Sequence, residues 1–299
     1  MPELPEVETM RRGVMPTVGS QIVKAEQPPC QRRPILLEPC IADLDRRVRG
    51  RTIEQIDRLG KRVLVVLDSG DALVIEPRMT GLVLLADPPG PEHLRLRLGL
   101  EGGSCRELLF WDRRGLGTVR LLTGEQLKRN VLDRLGPDAL AITAEQFRMR
   151  LRTSRRAIKV ALLDQSSLAG IGNLYAAEIL FRAGVDPRVR CDRLTGPQWS
   201  RIHAAIIEVL LEAIRHEGST LSDGTYRNAL NQSGNYQNYH QVYDRQGQHC
   251  RRCSEGTVRR IVQAQRSTFF CPICQRKSGR HPEVREIQVS RFSPAAVHC

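Results

Sequence analysis

Apolar positions change their period along the chain. Val7, Met10 and Val14 recur at helical spacing, which predicts a short amphipathic helix over residues 5–15 begun by Pro5. From about residue 20 to 122 short apolar runs take over, among them Arg62-Val63-Leu64-Val65-Val66-Leu67, Ala72-Leu73-Val74-Ile75 and Glu107-Leu108-Leu109-Phe110. Asp68-Ser69-Gly70-Asp71 reads as a hairpin turn between two of them. Many short strands with turn signals predict an antiparallel sandwich or flattened barrel. Leu94-Arg95-Leu96-Arg97-Leu98 alternates cleanly, so one face of that strand is expected to meet solvent. Beyond Asp133-Arg134-Leu135-Gly136-Pro137-Asp138 the strand pattern stops. Helical spacing follows at 144–147, 158–163, 173–183 and 198–217, then a polar, Gly-rich stretch over 218–248. The expected fold is α+β and multi-domain.

Charge sharpens this picture. Lys and Arg total 46 against 33 Asp and Glu, a formal net charge of +13 carried mostly by arginine. That balance favours a polyanionic partner, because the planar guanidinium fork donates paired hydrogen bonds to phosphate. A solvated basic surface without a partner is the plainer alternative. No apolar run is long enough to span a bilayer, and no charged-then-apolar leader precedes Pro2, so the expectation is a cytoplasmic protein.

Nine cysteines divide into two groups. Five are scattered, whereas Cys250-Arg251-Arg252-Cys253 and Cys271-Pro272-Ile273-Cys274 form two pairs separated by 17 residues. Two such knuckles place four thiolates around one zinc ion in a closed, structural site, with a disulfide pairing as the alternative. The hairpin between them carries Arg259, Arg260 and Arg266.

Other candidate chemistry starts at the first residues, Met1-Pro2-Glu3-Leu4-Pro5-Glu6. Removal of the initiator Met would leave Pro2 with a free secondary amine, and amines attack aldehyde-like carbons to give Schiff bases. Glu3 is the nearest carboxylate in sequence and could pass protons to the reacting centre. The plainer reading is that Pro2 and Pro5 only start a helix. Gly170-Ile171-Gly172-Asn173 leads into a helix, where bare N–H groups could meet a phosphate or simply turn the chain. Arg78-Met79-Thr80-Gly81 and Asp112-Arg113-Arg114-Gly115-Leu116-Gly117 set apolar tips beside arginines at strand ends. Such tips can push between stacked bases, or fold back on the sandwich as ordinary turns.

Taken in order, the opening nonapeptide 1–9, Gly60-Lys61-Arg62, Arg78-Met79-Thr80-Gly81, Asp164-Gln165, the 170–184 stretch, Thr225-Tyr226-Arg227-Asn228, Val242-Tyr243-Asp244-Arg245-Gln246-Gly247 and the four-cysteine finger resemble the formamidopyrimidine-DNA glycosylases. The resemblance covers residues 1–275. It implies a catalytic β-sandwich with a flanking N-terminal helix (2–132), a helical helix-two-turn-helix DNA-binding domain with a lesion-capping loop (133–245), a zinc finger (246–275) and a basic tail (276–299). It implies a bifunctional enzyme that removes oxidised purines, 8-oxoguanine and formamidopyrimidines, from double-stranded DNA and then cleaves the abasic strand by β,δ-elimination. Carried over by position, Pro2 is the nucleophile, Glu3 the acid that helps open the sugar, Glu6 a supporting carboxylate and Lys61 a backbone contact beside the lesion. Asn173 and Arg266 hold flanking phosphates, while Met79, Arg114 and Leu116 fill the gap left by the flipped nucleotide. Glu178, Thr225, Tyr226 and Arg227 fall to lesion recognition, Glu178 with support of a turn as its alternative, and 222–236 to the capping loop. One structural zinc ion, no organic cofactor, a monomer, no membrane contact and a nucleoid-associated cytoplasmic location complete the expectation.

Two departures stand out. The second tip is Leu116 where the family usually has Phe, and Glu76-Pro77 precedes the Met79 loop, placing a negative charge near the DNA-facing side. Competing readings are an endonuclease VIII-like enzyme for oxidised pyrimidines, a non-catalytic damaged-DNA-binding protein and a zinc-ribbon RNA-binding protein.

Overall fold

The computed structural model describes residues 2–220 and 226–276. Thr225, residues 222–224 of the expected capping loop and the tail from 277 lie outside the described residues.

Helix α1 (Leu4–Val14) begins the chain and couples its two main cores. Its Val7, Met10 and Val14 enter the sheet core, whereas Leu4 belongs to the helical core. Pro5 in the first turn and a reciprocal Glu3–Glu6 capping box fix where the helix starts.

Eleven strands are present among the described residues: β1 (Gln21–Glu26), β2 (Leu36–Glu38), β3 (Ile53–Leu59), β4 (Arg62–Leu67), β5 (Ala72–Glu76), β6 (Gly81–Leu84), β7 (Leu94–Glu101), β8 (Glu107–Asp112), β9 (Thr118–Leu122), β10 (Arg259–Gln263) and β11 (Arg266–Phe270). The first nine form a four-stranded sheet, β1-β7-β8-β6, and a five-stranded sheet, β2-β9-β5-β4-β3, whose inner faces share one core. Pairing is antiparallel except between β2 and β9, which run parallel. Helix α2 (Ile41–Val48) lies within the stretch expected to be all strand. Ile41, Leu44 and Val48 carry its helical spacing, and Leu44 and Val48 are buried against the sheet.

Arg95 departs from the expected solvated face of β7. Arg97 is exposed, but a register shift between Leu94 and Leu96 turns Arg95 inward. A bulge of this kind re-aims a side chain without breaking the strand.

Past α3 (Gly124–Asn130), helices α4 (Ala144–Leu151), α5 (Ile158–Leu162), α6 (Asn173–Arg182) and α7 (Gly196–Arg215) enclose a second core around Phe147, Tyr175 and Ile206. Thr123, Thr143 and Thr195 each open a helix with a capping box closed by a glutamine three residues on. The hairpin β10–β11 and the cysteine knuckles share a third core with Ala177 and Phe181 of α6. No helix among the described residues is long and apolar enough to cross a membrane.

Arg58 of β3 ties the sheet side to the helical side. It contacts Glu8 at 3.1 Å and Asp138 at 2.6 Å, with only a tenth of its side chain exposed. Removing it leaves half-buried Asp138 without its cation, while Glu8 keeps Arg11 and Arg12, so Arg58→Ala is expected to lower unfolding free energy by about 3 kcal/mol in chemical denaturation. A change under about 0.5 kcal/mol would mean that the seam does not depend on this pair.

Candidate active site

The site grows from the cap of α1. The Glu3 carboxylate accepts hydrogen bonds from the backbone N–H of Gly172 (2.7 Å), Leu174 (3.0 Å) and Tyr175 (3.3 Å), at the N-terminus of α6. Those donors have no partner inside their own helix, and the helix dipole favours an anion there. A Cβ on Gly172 would stand 2.3 Å from the Glu3 carboxyl carbon, so only glycine lets the two approach. The sequence allowed a phosphate at this glycine-flanked helix start. The structure fills it with a carboxylate of the same chain.

Glu6 is buried behind Glu3. Its oxygens accept from the Glu3 N–H (2.8 Å), the Tyr175 hydroxyl (2.5 Å) and the Ser219 N–H (2.9 Å). Burial pushes its pKa up and the Glu3 charge adds to this, against the opposing pull of the Tyr175 bond. Pro2, also buried, directly precedes this pair.

Cations converge from three other segments. Lys61 sits in the β3–β4 turn, Lys159 on α5 and Arg266 at the start of β11. Burial lowers the pKa of Lys61, with Glu3, Glu6 and Glu76 pulling it back up and Arg266 depressing it further. Lys159 is fully buried, and its ammonium donates to Asn173 Oδ1 (2.7 Å), the Ser267 carbonyl (3.0 Å) and Thr268 Oγ1 (2.6 Å). Burial takes its pKa down to about 8, partly countered by Glu3 and reinforced by Arg266. Lys159 thus pins α6 to the finger hairpin within the field of Glu3. It was missing from the sequence candidates, although a lysine between Ile158 and Val160 in an apolar run was the available signal.

Arg266 follows a two-residue turn in which Ala264 (φ 47°) and Gln265 (φ 60°) both occupy the left-handed region without glycine. A two-residue hairpin turn of this kind needs positive φ at both central positions, which fixes the direction in which Arg266 leaves the turn. The Arg266 side chain is exposed and makes no hydrogen bond or ion pair among the described residues.

The two apolar-tipped loops are one assembly. Buried Asp112, at the end of β8, accepts from the Thr80 hydroxyl and from the N–H groups of Arg114 (3.2 Å), Leu116 (2.8 Å) and Gly117 (2.8 Å). Met79 stands 37% exposed, Arg114 is exposed and Leu116 is half-buried. The structure also accounts for Glu76-Pro77. Glu76 is ion-paired with Arg62 and Arg78, each at 3.0 Å, so its charge is neutralised locally. Pro77 lies just past the last residue of β5, where the ladder asks for no further donor.

Glu178 and Tyr226 are placed differently from a lesion-reading role. Both oxygens of buried Glu178 are taken by the N–H groups of Gln241, Val242 and Tyr243 at 2.8–3.0 Å, which is turn support. Tyr226 is buried in the sheet core, its hydroxyl 3.4 Å from the Glu6 carbonyl. Arg227 is half-buried and donates to the Asn231 carbonyl at 3.2 Å.

His240 holds the same wall through a 3.0 Å contact with the Oγ of Ser219, the residue whose N–H reaches Glu6. Burial pushes its pKa down to about 4, with Arg251 and Arg245 contributing. Between about pH 6.5 and pH 4 the unfolded chain therefore binds a proton that the folded one refuses, so stability falls as pH drops through that window. Thermal denaturation across it should show this slope in the parent protein and a shallower one in His240→Gln.

The four paired cysteines gather with Sγ atoms within 4.8 Å of one another, the Cys250–Cys274 and Cys253–Cys271 contacts being 3.7 and 3.8 Å. Four thiolates at about 2.3 Å from one central ion in a tetrahedron stand about 3.8 Å apart, so the set fits a metal ion and not two disulfides. A Cβ at Gly256 would lie 2.6 Å from Cys271 Sγ, which is why the knuckle needs glycine there.

A sandwich and a helical unit joined through an N-terminal helix, with a four-thiolate hairpin packed on α6, define a class that known proteins share. The family model described as "Formamidopyrimidine-DNA glycosylase N-terminal domain" matches residues 1–119, and "Formamidopyrimidine-DNA glycosylase H2TH domain" matches 135–225. The chain belongs to the formamidopyrimidine-DNA glycosylase family. Curated relatives of that name include one from Chloroflexus aggregans, 41% identical over 92% of this chain and 98% of the relative. One from Thermus thermophilus is 40% identical with the same coverage. The crystal structure of the Thermus thermophilus MutM (Fpg) protein superposes with a TM-score of 0.79 at 38% identity, covering 92% of this chain and 98% of that one. Lactococcus lactis Fpg in complex with Fapy-dG-containing DNA gives a TM-score of 0.79 at 32% identity over 92% and 100% of the two chains.

Proposed function

We propose that this chain is a DNA glycosylase and abasic-site lyase acting on oxidised purines in double-stranded DNA. The observation that carries the reading is the Glu3 carboxylate, set beside Pro2 on the N-terminus of α6 and faced by Lys61, Lys159 and Arg266. Family membership over nearly the whole chain supports the same activity.

In this reading the Pro2 secondary amine, freed by removal of Met1, attacks C1′ of the damaged nucleotide as the base departs. Glu3 takes the proton released by the Pro2 nitrogen and delivers it to the ring oxygen, the sugar opens, and an iminium links Pro2 to C1′. The iminium draws electrons from the adjacent carbon, so loss of a C2′ proton expels the 3′ phosphate and a second elimination expels the 5′ phosphate. Glu6 holds the Glu3 backbone from behind. Lys61, Asn173 and Arg266 bind the phosphates around the lesion, and Met79, Arg114 and Leu116 occupy the space it leaves. Thr225 and Arg227 are assigned to recognition of the extruded base.

The four thiolates would hold one zinc ion that stiffens the hairpin and takes no part in the chemistry. The working division of the chain is 2–132, 133–245, 246–275 and 276–299, and its proposed place is the cytoplasm at the nucleoid. Borohydride reduction in the presence of a duplex containing 8-oxoguanine or an abasic site is expected to trap a covalent adduct, lost in Pro2→Gly. Affinity should also fall steeply with salt. A binding protein without chemistry gives no adduct with any lesion.

A further inference from the structure

Arg95 is a buried charge that the glycosylase reading leaves unused. It is 2% exposed, on the bulge of β7. Its Nε donates to the Asp112 carbonyl at 2.8 Å, and its Nη1 lies in contact with Cys30 Sγ. Its Nη2 has no hydrogen-bond partner, an expensive condition for a buried cationic donor. Cys30 Sγ also faces the Glu92 carbonyl (3.0 Å) and the Arg32 N–H (3.4 Å). Pro28, Pro29, Cys30, Pro34, Leu94 and Arg95 line a cavity of about 250 Å³. That is ample room for hydrogen peroxide together with several waters, since one water's share of liquid volume is about 30 Å³.

This pocket adjoins the second apolar-tipped loop on two sides. From behind, Arg95 holds the main chain of Asp112, whose carboxylate organises Arg114, Leu116 and Gly117. From the side, the segment after Cys30 is packed so tightly on the loop that a Cβ at Gly115 would lie 2.1 Å from the Arg33 carbonyl oxygen. The Leu36 N–H also donates to the Gly117 carbonyl at 3.3 Å.

We propose that Cys30 and Arg95 form a peroxide-reactive thiol site, set behind the loop that carries Arg114 and Leu116. Reactive cysteines occupy partly exposed, electropositive surroundings, and half-buried Cys30 has a guanidinium in direct contact. The sulfur lone pair attacks one oxygen of hydrogen peroxide and the O–O bond breaks. The departing hydroxide leaves as water with the thiol proton, giving a sulfenic acid. Sulfur is oxidised by two electrons and the peroxide reduced by two. Arg95 offsets the negative charge reaching the departing oxygen, and the new sulfenyl oxygen is an acceptor for its free Nη2. Oxidation thereby changes what Arg95 holds, and Arg95 holds the main chain at Asp112. Exposed Cys40, whose thiol donates to Asp43, has no guanidinium in hydrogen-bond contact among the described residues and serves as the internal control.

The test exposes metal-loaded, full-length protein to graded hydrogen peroxide with dimedone present and reads each cysteine by peptide mass spectrometry. Cys30 is expected to acquire the label about tenfold faster than Cys40. Arg95→Gln should bring the two rates together, and Arg95→Lys should recover part of the difference. Equal rates in the parent protein, a comparison that needs no variant, overturn the site; so does an unchanged Cys30 rate in folded Arg95→Gln. A second arm rests on the proposed DNA reading and measures affinity for an abasic-site duplex before and after oxidation. The parent protein is expected to shift by about fivefold and Cys30→Ser not at all. A labelled Cys30 with unchanged affinity overturns the coupling to the loop. Absence of DNA binding before oxidation counts against the DNA reading instead, because the labelling arm contains no DNA.

Discussion

Glu3→Gln is expected to slow excision of 8-oxoguanine from a duplex by about a thousandfold in single-turnover assays, the range of a lost proton donor. The same change lowers stability, because a glutamine must turn its NH2 group towards at least one of the α6 N–H groups that the carboxylate now satisfies. Leaving such donors unpaired costs roughly 1–3 kcal/mol. The two effects separate in measurement. A variant that melts earlier yet excises at the parent rate would make Glu3 a helix-capping anion and nothing more. Glu3→Asp, which keeps the charge on a shorter arm, should fall between the two in both readouts.

Removal of the metal is the second large effect. Chelation is expected to release one zinc ion per chain, to weaken binding to an abasic-site duplex by roughly a hundredfold or more, and to leave the melting of the sheet core in place. The hairpin that would loosen presents Arg266 and supplies the Ser267 and Thr268 acceptors that fix Lys159. Two charge-assisted contacts are thereby disturbed, each worth about 1.5–3 kcal/mol, and every 1.4 kcal/mol is about a tenfold change. The sandwich core shares no residue with the cysteine cluster, so its unfolding should be unaffected. Full binding after complete metal loss would remove the structural role of the finger.

Local chemistry made much of the architecture legible. Pro5, the short apolar runs of the sandwich and the two cysteine pairs each declare themselves within a few residues, and the structure contains each of them. What stayed hidden depends on partners distant in the chain. Asp112 looked like one more loop acid, and only the fold brings Thr80 to it across 32 residues. Glu178 was given to lesion recognition or to a turn, and Lys159 was not singled out; segments more than 60 and 100 residues away close on them and decide their roles. Arg95 obeyed a clean alternation that a single bulge overrode. Glycines 170 and 172 were correctly marked as a close approach, but the sequence could not tell an external phosphate from the Glu3 carboxylate, since both are anions at a helix start.

The depressed pKa values of Lys61 and Lys159 give the reaction two further amines near Glu3, and Lys159, at about 8, is partly neutral at physiological pH. The nucleophile is therefore best decided by where the covalent bond forms. Proteolysis and tandem mass spectrometry of the borohydride-reduced adduct should place the sugar remnant on Pro2, at a chain terminus from which Met1 is absent. A remnant on Lys61 or Lys159, or an adduct formed while Met1 is retained, would contradict Pro2 as the nucleophile.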